Sequence, residues 1–470
     1  MAIKRETADK TVSLNNPCKM AYTMVSTTNG IKNEIKKGTT IITAEPFTFV
    51  LSSQHRTERC DYCFQSGKIS RCSGCQYVYY CSKNCQRRGW ITHKVECPNI
   101  KRVQPRIIPD AGRMMARIII KLHQGGADER GYYTPTKYRT FYDLMSHVSN
   151  IKEDVSKMEH FTSLSMVLLE FLPKDMLPEP KELLEIFGRM SVNSFHILDT
   201  DLTSLGVGIY LGPSIIDHSC KPNATAIFEG TTLIIRTLCD LPTLDWTKVH
   251  ITYIDLLKDT KTRRAELQQS YFFWCDCERC NSPETMEISA ACPNKTCMNP
   301  CSSTDTNCSK CGEKFPDDFR DEFDRVCELS VYQLERMANI AYLDASRMCL
   351  ERQQGILHPY NLLVVRMLEM AVAAAIDLDR WDEAEVFAAQ LVSRYLFYYG
   401  ETHPMTGQMY FSWGKLLSLQ MKGVQALEVV TKAAQIIKVA FGENHSKMRT
   451  EVKPLLDQLM AEYHMSKNGY

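Results

Sequence analysis

The sequence has no apolar run long enough to cross a membrane. Its most apolar stretch, Met370–Ile376, ends at Asp377, far short of the roughly 18 residues that a membrane helix needs. The N-terminus lacks the apolar segment of a secretory signal, so we expect no export. The formal net charge is only +1, which excludes binding to nucleic acid through bulk positive charge. We therefore expect a cytoplasmic and nuclear protein with no membrane partner.

Length and composition predict a globular protein of several domains. The chain has 470 residues, and as a soft prior this length suggests about three domains. A content of 44% hydrophobic and 24% charged residues is typical of globular proteins. Cysteine is abundant, with 20 residues. In a chain without an export signal, so many thiols indicate metal ligands in a reducing compartment rather than disulfides.

The cysteines form two dense clusters. Seven lie between Cys60 and Cys97, and eight lie between Cys275 and Cys311. The remaining five are Cys18, Cys220, Cys239, Cys327 and Cys349. The clusters separate a cysteine-poor N-terminus, a mixed α/β stretch and a helical C-terminal part.

The first cluster has the spacing of two complete zinc sites. Two residues between cysteines let a tight turn present both sulfurs to one tetrahedral ion, and three residues place both ligands on one face of a helix. Fewer than about 40 residues cannot form an adequate apolar core, so the metals must supply much of the folding energy of this module. Its potential ligands are Cys60, Cys63, Cys72, Cys75, Cys81, Cys85, His93 and Cys97.

The spacing and the segment Tyr79–Gln86 resemble the MYND zinc finger. The resemblance implies that Cys60, Cys63, Cys81 and Cys85 share one zinc ion, and that Cys72, Cys75, His93 and Cys97 share the other. MYND fingers are protein-interaction modules that often take proline-rich peptides, which we expect as partners. A DNA-binding finger is the weaker interpretation, because six Lys and Arg residues against Asp61 and Glu96 are only a modest excess.

The segments around the finger indicate a mixed domain into which the finger is inserted. Ile41–Val50 is β-branched and aromatic with a break at Pro46, as in a pair of strands. Asn29-Gly30 predicts a tight turn before it. Helical periodicity is present at Ala111–His123, Met158–Phe171 and Lys181–Met190. Strand character returns at Ala224–Phe228, Leu233–Leu238 and Val249–Ile254.

Three short motifs follow in a characteristic order. Asp217–Asn223 (DHSCKPN) precedes a strand pair, Thr252–Asp255 (TYID) ends the last predicted strand, and Cys275–Cys280 (CDCERC) follows an aromatic run. The last motif offers three thiols, Cys275, Cys277 and Cys280, and Cys220 could supply the fourth ligand from far upstream. Such a site would bring Tyr271 and Phe273 near Tyr253.

This order resembles the SET domain of protein lysine methyltransferases, with its zinc-binding post-SET tail. A MYND finger inserted near the start of such a domain resembles the SET and MYND (SMYD) family, over nearly the whole chain. The resemblance implies S-adenosylmethionine as cofactor and a lysine side chain, on histones or other proteins, as substrate. It also implies Tyr253 and Tyr271 as catalytic residues. The cofactor-binding positions it implies are Asn29, Gly30, His147, Asn193, Asp217, His218, Tyr253 and Phe273.

The residue types suit methyl transfer. A neutral amine attacks a sulfonium carbon, so the protein must align the reactants and exclude water rather than form a covalent bond. A lysine pKa near about 10.4 means that a proton must leave first, which an apolar channel assists. Aromatic faces can hold the lysine stem and the developing cation.

Four positions depart from the family pattern. Asp217 stands where the family has asparagine and offers no amide donor. Thr28 stands where a second glycine is usual, and His147 where some relatives carry asparagine. Pro242–Lys248 replaces a Gly-Glu-Glu turn. We expect these departures to affect turnover more than fold.

A further cysteine group follows the post-SET motif. Cys308-x2-Cys311 resembles one knuckle of a zinc ribbon, and Cys292-x4-Cys297 could be the other. With Cys301 there are five candidates for four positions, so a fourth zinc and a partly liganded loop both remain open.

The chain beyond Phe315 is predicted to be helical, with two cues to repeats. Gly-x2-His recurs at Gly355, Gly400 and Gly442, and pairs of apolar-periodic segments lie between these positions. This pattern resembles the tetratricopeptide-like region of SMYD proteins, and the resemblance implies binding of peptides or chaperone tails. A plain helical cap on the SET domain is the alternative. We expect His358, His403 and His445 to be turn or capping residues.

Together these features predict an α+β SET fold split by a MYND finger, followed by a zinc-binding tail and a helical domain. The expected segments are 1–58 (first part of the SET domain), 59–98 (finger), 99–260 (helical insertion and core SET), 261–315 (zinc region) and 316–470 (helical domain).

The leading function is S-adenosylmethionine-dependent methylation of protein lysine by a monomer. The alternative is a weakly active or inactive SET scaffold that works as a co-regulator through its finger and helical domain. Three structural zinc ions are expected, since four protein ligands leave no place for a reactive water.

Overall fold

The computed structural model describes residues 34–337 and 342–467. Asn29 and Gly30, which we expect to bind the cofactor, and Thr28 lie outside the described residues. The strands are β1 (Thr40–Ala44), β2 (Thr48–Leu51), β3 (Ser70–Arg71), β4 (Tyr79–Tyr80), β5 (Gly131–Tyr132), β6 (Tyr138–Arg139), β7 (Ser194–Leu198), β8 (Ser204–Ile209), β9 (Asp217–His218), β10 (Ala224–Glu229), β11 (Thr232–Thr237) and β12 (His250–Ile251). The helices are α1 (Lys83–Val103), α2 (Asp110–His123), α3 (Val148–Glu153), α4 (Val155–Phe171), α5 (Pro180–Asn193), α6 (Thr260–Tyr271), α7 (Glu278–Asn281), α8 (Phe319–Arg336), α9 (Leu343–Gln353), α10 (Leu362–Asp377), α11 (Trp381–Tyr399), α12 (Pro404–Leu419), α13 (Gly423–Ala440) and α14 (Lys453–Lys467).

Two antiparallel sheets of three strands form the main β structure. One has the order β1-β11-β10 and the other the order β2-β8-β7. The predicted pair of strands around Pro46 is present as β1 and β2, but these strands belong to different sheets. Proline lacks an N–H and interrupts a ladder, so the chain leaves one sheet and enters the other at this point. Strands on both sides of the finger thus build one domain, as the sequence predicts.

The last predicted strand is shorter than expected. β12 contains only His250 and Ile251, and it pairs in parallel with β9. The prediction of a strand to Ile254 is wrong because the next backbone groups have other partners. The N–H of Tyr253 donates to Nδ1 of His218 at 3.0 Å, and the Thr252 hydroxyl donates to the carbonyl of Ile254 at 2.6 Å. Tyr253 therefore lies in a turn beyond the strand.

The helices between finger and sheet bury the apolar faces that the sequence predicts. The expected segments are confirmed as α2, α4 and α5, with bounds within a few residues of the prediction. Met114, Leu168 and Phe187 from these helices belong to one core that also includes Ile100 of α1. Because α1 starts in the finger and ends in this core, the finger is anchored to the SET domain through it.

Four buried charges connect the finger to α2. Arg113 donates to Asp61 at 2.7 and 3.0 Å, and Arg117 donates to Glu96 at 2.8 and 2.9 Å. All four residues are at most 5% exposed. Paired buried charges of this kind satisfy each other's hydrogen bonds. Asp61 and Glu96 therefore do not belong to the surface charge of the finger, contrary to our count from the sequence.

The C-terminal helices form consecutive antiparallel pairs that also pack on the sheet. The predicted pairs are confirmed as α10 with α11 and α12 with α13. Arg236 of β11 donates to the carbonyl of Val439 at 3.0 Å, and His445 bonds the carbonyl of Phe228 at 2.8 Å. The helical part is thus both a pair array and a cap on the sheet. Among the described residues, no helix combines the length and apolar character of a membrane crossing.

The three recurrent histidines are capping residues, as predicted. In each, Nδ1 accepts a hydrogen bond of 3.1 to 3.2 Å from the backbone N–H two residues later. All three side chains are buried. His358, His403 and His445 therefore fix the same turn three times, and His403 is also the N-cap of α12.

Candidate active site and metal centres

The finger brings its eight potential ligands into two groups. Within each group all ligand atoms lie within 4.8 Å of one another. Cys63 and Cys81 sulfurs are 3.6 Å apart, and Cys72 and Cys97 sulfurs are 3.9 Å apart. Four thiolates at about 2.3 Å from one tetrahedral ion would be about 3.8 Å from each other. The groups are Cys60, Cys63, Cys81 and Cys85 in one, and Cys72, Cys75, His93 and Cys97 in the other.

The histidine of the second group is oriented by a buried carboxylate. Nε2 of His93 lies 3.5 Å from the Cys75 sulfur, while Nδ1 lies 3.4 Å from Oε2 of Glu96. A carboxylate behind a ligating imidazole fixes the ring and raises its basicity. Thiolates and imidazole without a carboxylate ligand are the donors that zinc prefers.

A third group joins residues that are far apart in the chain. Cys220 follows β9, and the sulfurs of Cys275, Cys277 and Cys280 surround it within 4.8 Å. The Cys280 and Cys220 sulfurs are 3.5 Å apart. The buried Arg263 guanidinium lies 3.7 Å from the Cys280 sulfur and offsets its charge. This group places the chain after α6 against the loop after β9.

His218 connects this metal group to Tyr253. Since a backbone N–H only donates, Nδ1 of His218 must accept the bond from Tyr253, and the ring proton lies on Nε2. Nε2 is 3.2 Å from the Cys220 sulfur. Burial lowers the pKa of His218 to about 4, so the ring is neutral. Both nitrogens are therefore occupied by protein groups.

Tyr253 lies at the centre of an aromatic cluster. Its hydroxyl donates to the carbonyl of Ile216, and its ring centroid is 4.9 Å from that of Tyr271 and 5.4 Å from that of His218. The Tyr271 hydroxyl lies 3.4 Å from the Tyr253 carbonyl. Burial, and then the Asp217 carboxylate, raise the pKa of Tyr253, and burial raises the pKa of Tyr271. Both phenols are therefore neutral near pH 7.

A cavity of about 540 Å³ opens beside this cluster. Asn193, Tyr253 and Tyr271 line it from the SET side, and Glu369 and His403 line it from the helical side. The two parts of the chain thus share one cleft. A concave site of this size with few polar groups is typical of a ligand pocket.

The cavity wall carries more negative than positive charge. Asp255, Glu266 and Glu369 line it together with one arginine, Arg366. Arg366 pairs with Asp255 and lies 2.9 Å from Glu369. Although burial opposes the shift, Arg366 lowers the pKa of Asp255, whereas burial raises the pKa of Glu369. Glu266 pairs with Lys258 at 2.6 Å, so one carboxyl group remains in surplus over the cations, which favours a cationic guest.

Comparisons with known proteins agree with this geometry. Residues 60–97 match the model of the MYND finger. Histone-lysine N-methyltransferase SMYD3 of Mus musculus is 27% identical over 433 residues, which are 90% of this chain and 94% of that protein. The N-lysine methyltransferase SMYD2-A of Xenopus laevis is 28% identical, with 89% and 94% covered. Histone-lysine N-methyltransferase ASHR1 of Arabidopsis thaliana is 26% identical, with 91% and 92% covered. Over about nine-tenths of its length the chain is therefore similar to proteins of the SET and MYND family.

Two predicted cofactor residues, Asn193 and His147, lie on segments that are hydrogen-bonded to each other. The side-chain amide of Asn193 donates to the carbonyl of Met145 at 2.8 Å and to that of Arg189 at 2.9 Å. This bond fixes the loop that carries His147, whose ring packs on Phe272 at 5.2 Å. A Cβ on Gly188 would lie 2.0 Å from the carbonyl oxygen of Ser146, so only glycine permits this approach.

The other predicted site residues that the structure describes lie around Tyr253. Phe273 packs on His218, with ring centroids 6.0 Å apart. Asp217 is exposed, and its carboxylate acts on Tyr253. The altered segment before β12 is held by Asn223, whose amide donates to the carbonyl of Lys248 at 2.7 Å. The cavity itself contains Asn193, Tyr253 and Tyr271, whereas the cavity lining does not include His147, Asp217, His218 or Phe273.

Sequence reasoning missed the acidic lining of the cavity. Asp255 and Arg366 are 111 residues apart, and no motif or spacing connects them. Glu266 lies on α6 and Glu369 on α10, and a glutamate on a helix is ordinarily a surface residue. Only Asp255 had a local signal, since it follows Tyr253 within the predicted motif.

Proposed function

We propose that this protein transfers a methyl group from S-adenosylmethionine to the lysine side chain of another protein. One observation carries the proposal. Tyr253, a neutral tyrosine held by a histidine that is itself tied to a metal group, lines a cavity with an acidic wall. The names of the family relatives, which are lysine methyltransferases, agree with this function.

The residues present suit S-adenosylmethionine, a cation with a sulfonium and an ammonium group. We assign Asn193, Asp217 and the His147 loop to its recognition, with Asn29 and Gly30 added from the sequence. The amide donors of Asn193 are used by backbone carbonyls, so its carbonyl oxygen is the group left to accept. Asp217 supplies a carboxylate, and Phe273 and His147 supply faces that attract a cation. When bound, the cofactor supplies an electrophilic methyl group.

The acceptor side of the site is built for an amine. The Tyr253 hydroxyl donates to Ile216, which leaves its oxygen lone pairs directed to accept from a lysine amine. A neutral phenol cannot take up the amine proton as a phenolate base would, so we assign Tyr253 and Tyr271 to orientation. Desolvation in the channel disfavours the strongly hydrated ammonium form. The ring faces contact the lysine stem and the more weakly hydrated methylammonium product.

The acidic wall accounts for selection of a basic protein segment. Asp255, Glu266 and Glu369 attract a lysine-containing peptide to the cleft. The ammonium gives its proton to solvent water before the amine enters the neutral channel, which disfavours the charged form. Exposed Trp90 and Ile91 on α1, at 47% and 66% exposure, support a peptide-binding role of the finger, for which we propose proline-rich partners. The helical domain remains the proposed site for a chaperone or other partner, and cytoplasm and nucleus the proposed locations.

The domain boundaries and the zinc ligands enter the proposal as well. We retain the segments 1–58, 59–98, 99–260, 261–315 and 316–470. The twelve metal ligands assigned from the sequence agree with three of the four groups of converging side chains. With four protein ligands each, these zinc ions are structural and take no part in methyl transfer.

The test combines cofactor binding with methyl transfer. Calorimetry with S-adenosylmethionine is followed by transfer of labelled methyl from the cofactor to an array of lysine peptides. We expect binding, and labelling of basic peptides that disappears when lysine is replaced by arginine. Tyr253→Phe keeps the ring contacts, so it should bind cofactor normally and lose about 100-fold or more in rate. No cofactor heat would instead support the scaffold function, and equal labelling of arginine peptides would contradict lysine specificity.

A further inference from the structure

A fourth cysteine group lies outside the finger and the post-SET site. The sulfurs of Cys292, Cys297, Cys308 and Cys311 all lie within 4.8 Å of one another. Cys292 and Cys311 sulfurs are 3.4 Å apart, and Cys297 and Cys308 sulfurs are 3.9 Å apart. These separations are close to the roughly 3.8 Å that a tetrahedral zinc imposes on its thiolates.

The geometry separates Cys301 from the other four cysteines of this segment. The Cys301 sulfur lies 3.5 Å from the carbonyl of Asn299, and its backbone pairs with Ala290 at 2.8 and 3.1 Å. Cys301 is only 5% exposed, so it is a buried member of the same module that does not join the group. The sequence alone left five candidates for four positions.

The backbone around the group has the turns that a metal knuckle needs. The N–H of Gly312 donates to the carbonyl of Cys308 at 2.9 Å, and Gly312 has φ +76°. A residue with a Cβ would be strained there. On the other side, the N–H of Cys297 donates to the carbonyl of Asn294 at 2.9 Å. Each pair of cysteines is thus presented by its own turn.

We propose that Cys292, Cys297, Cys308 and Cys311 bind a fourth zinc ion that fixes the helical domain to the rest of the chain. Four thiolates in a tetrahedral arrangement, with no carboxylate among them, favour zinc over calcium or magnesium. The module has only a small apolar core, in which Phe315 and Phe319 pack at 4.6 Å. Like the finger, it needs metal to fold.

The module is bonded to the start of α10 through the backbone. Ala291 donates to Ile356, His358 donates to Ser289, and Leu362 donates to Glu287, at 2.9 to 3.0 Å. The Asn361 amide, which begins α10, also donates to the Ser289 carbonyl at 3.0 Å. α10 carries Arg366 and Glu369 into the cavity. The fourth zinc therefore positions the helical wall of the cleft.

The first test counts metal in the full chain. Elemental analysis of the purified wild type should give four zinc ions per chain, one for each group. Cys308→Ser and Cys311→Ser should each give three. Cys301→Ser, the matched control from the same module, should keep four. Three zinc ions in the wild type, four in Cys308→Ser, or iron in place of zinc would overturn the proposal.

A second test does not depend on the folding of a variant. Native mass spectrometry of the wild type measures bound zinc and the thiol state together. The proposal expects four zinc ions with every cysteine reduced. A chain that lacks one zinc and that, after unfolding, has a mass two hydrogens below that of the fully reduced chain contains a disulfide, which would overturn the proposal if it lies within the segment.

The positional role is tested separately and rests on the proposed methyl transfer. Cys311→Ser should raise KM for the peptide more than it lowers kcat, because α10 contributes binding rather than reacting groups. If Cys311→Ser loses one zinc ion but has the same KM as Cys301→Ser, the positional role is overturned and the metal site is retained. If the wild type has no activity but four zinc ions, only the proposed function fails.

Discussion

Nδ1 of His218 accepts a hydrogen bond of 3.0 Å from the backbone N–H of Tyr253. The other nitrogen of the same ring lies 3.2 Å from the sulfur of Cys220. A single neutral imidazole therefore joins a metal ligand to the tyrosine that we assign to catalysis. The zinc-binding tail stabilises the fold and also sets the position of the Tyr253 backbone.

His218→Leu should impair methyl transfer without loss of metal. Because both contacts of the ring disappear, we expect kcat to fall about 10- to 100-fold, the usual effect of losing a group behind a metal ligand. Zinc content by elemental analysis should not change, since Cys220 and the three other thiols remain. His218→Asn, whose amide can accept from Tyr253, should recover part of the rate. Normal kcat in His218→Leu would contradict the positioning role.

Residue spacing, together with the family resemblance, predicted groups of cysteines that the structure brings together, but not their surroundings. A thiolate site needs four ligands at fixed local spacings, so the triplet at Cys275, Cys277 and Cys280 indicated one missing partner, and Cys220 was available. In contrast, the role of His218 as a link depends on a backbone N–H 35 residues away. No local pattern encodes that contact.

Arg366 and Asp255 should show measurable energetic coupling. Their side chains are 29% and 36% exposed, between a surface pair worth about 0–1 kcal/mol and a buried pair whose disruption costs about 3–5 kcal/mol. We expect about 1–2 kcal/mol of coupling in a double-mutant cycle of Arg366→Gln and Asp255→Asn, measured by urea unfolding. Arg366→Gln should also lower KM for a basic peptide and make peptide binding more salt-dependent, because it makes the wall more acidic.

The matched control is an ion pair on the surface. Lys36 and Asp240 are 3.3 Å apart but 65% and 45% exposed. A cycle of Lys36→Gln and Asp240→Asn should give less coupling, because solvent and salt screen exposed charges. Equal coupling energies in the two cycles would mean that the cleft does not shield the Arg366–Asp255 pair from solvent.

His403 should make the protein less stable at mildly acidic pH. Burial lowers the pKa of His403 to about 3 from its ordinary value of 6.5. Below pH 6.5, His403 is protonated in the unfolded chain but stays neutral in the folded chain. The stability that is present above pH 6.5 is therefore lost progressively toward pH 3. At one pH unit below the ordinary value the loss is about 1.4 kcal/mol.

The measurement compares unfolding free energies at pH 7.5 and 5.5 in wild type and His403→Asn. Asparagine can still accept from the Met405 N–H that Nδ1 of His403 now caps at 3.2 Å, and it does not titrate. The variant should therefore lose about 1.4 kcal/mol less than wild type over this interval. His464→Asn, a change at an exposed histidine, should leave the wild-type slope in place. An unchanged slope in His403→Asn would show that His403 does not contribute.

The four charges between the finger and α2 illustrate what the sequence could not supply. Arg113 and Arg117 lie in a helix whose apolar periodicity was recognised, yet arginine is ordinarily an exposed residue. Their burial depends on Asp61, 52 residues before Arg113, and on Glu96. The helix was predictable from periodicity, whereas the salt-bridge network required the tertiary packing of the finger against it.

Glu96→Gln should weaken both this network and the zinc at His93. Without the Glu96 charge, the buried Arg113 and Arg117 have only Asp61 as a charged partner. This loss should reduce the free energy of unfolding by about 3–5 kcal/mol. His93 also loses the carboxylate at its Nδ1, so one zinc should bind about 10- to 100-fold more weakly. When zinc is transferred to a coloured chelator, one zinc ion of the variant should be released faster than in the wild type, and the release rates of the others should not change.

The control is Glu58→Gln, a change at an exposed glutamate of the same region, which should release zinc like the wild type. If both variants release zinc at the same rate, Glu96 does not support the metal site, and the network would be a packing feature of the interface between finger and helix.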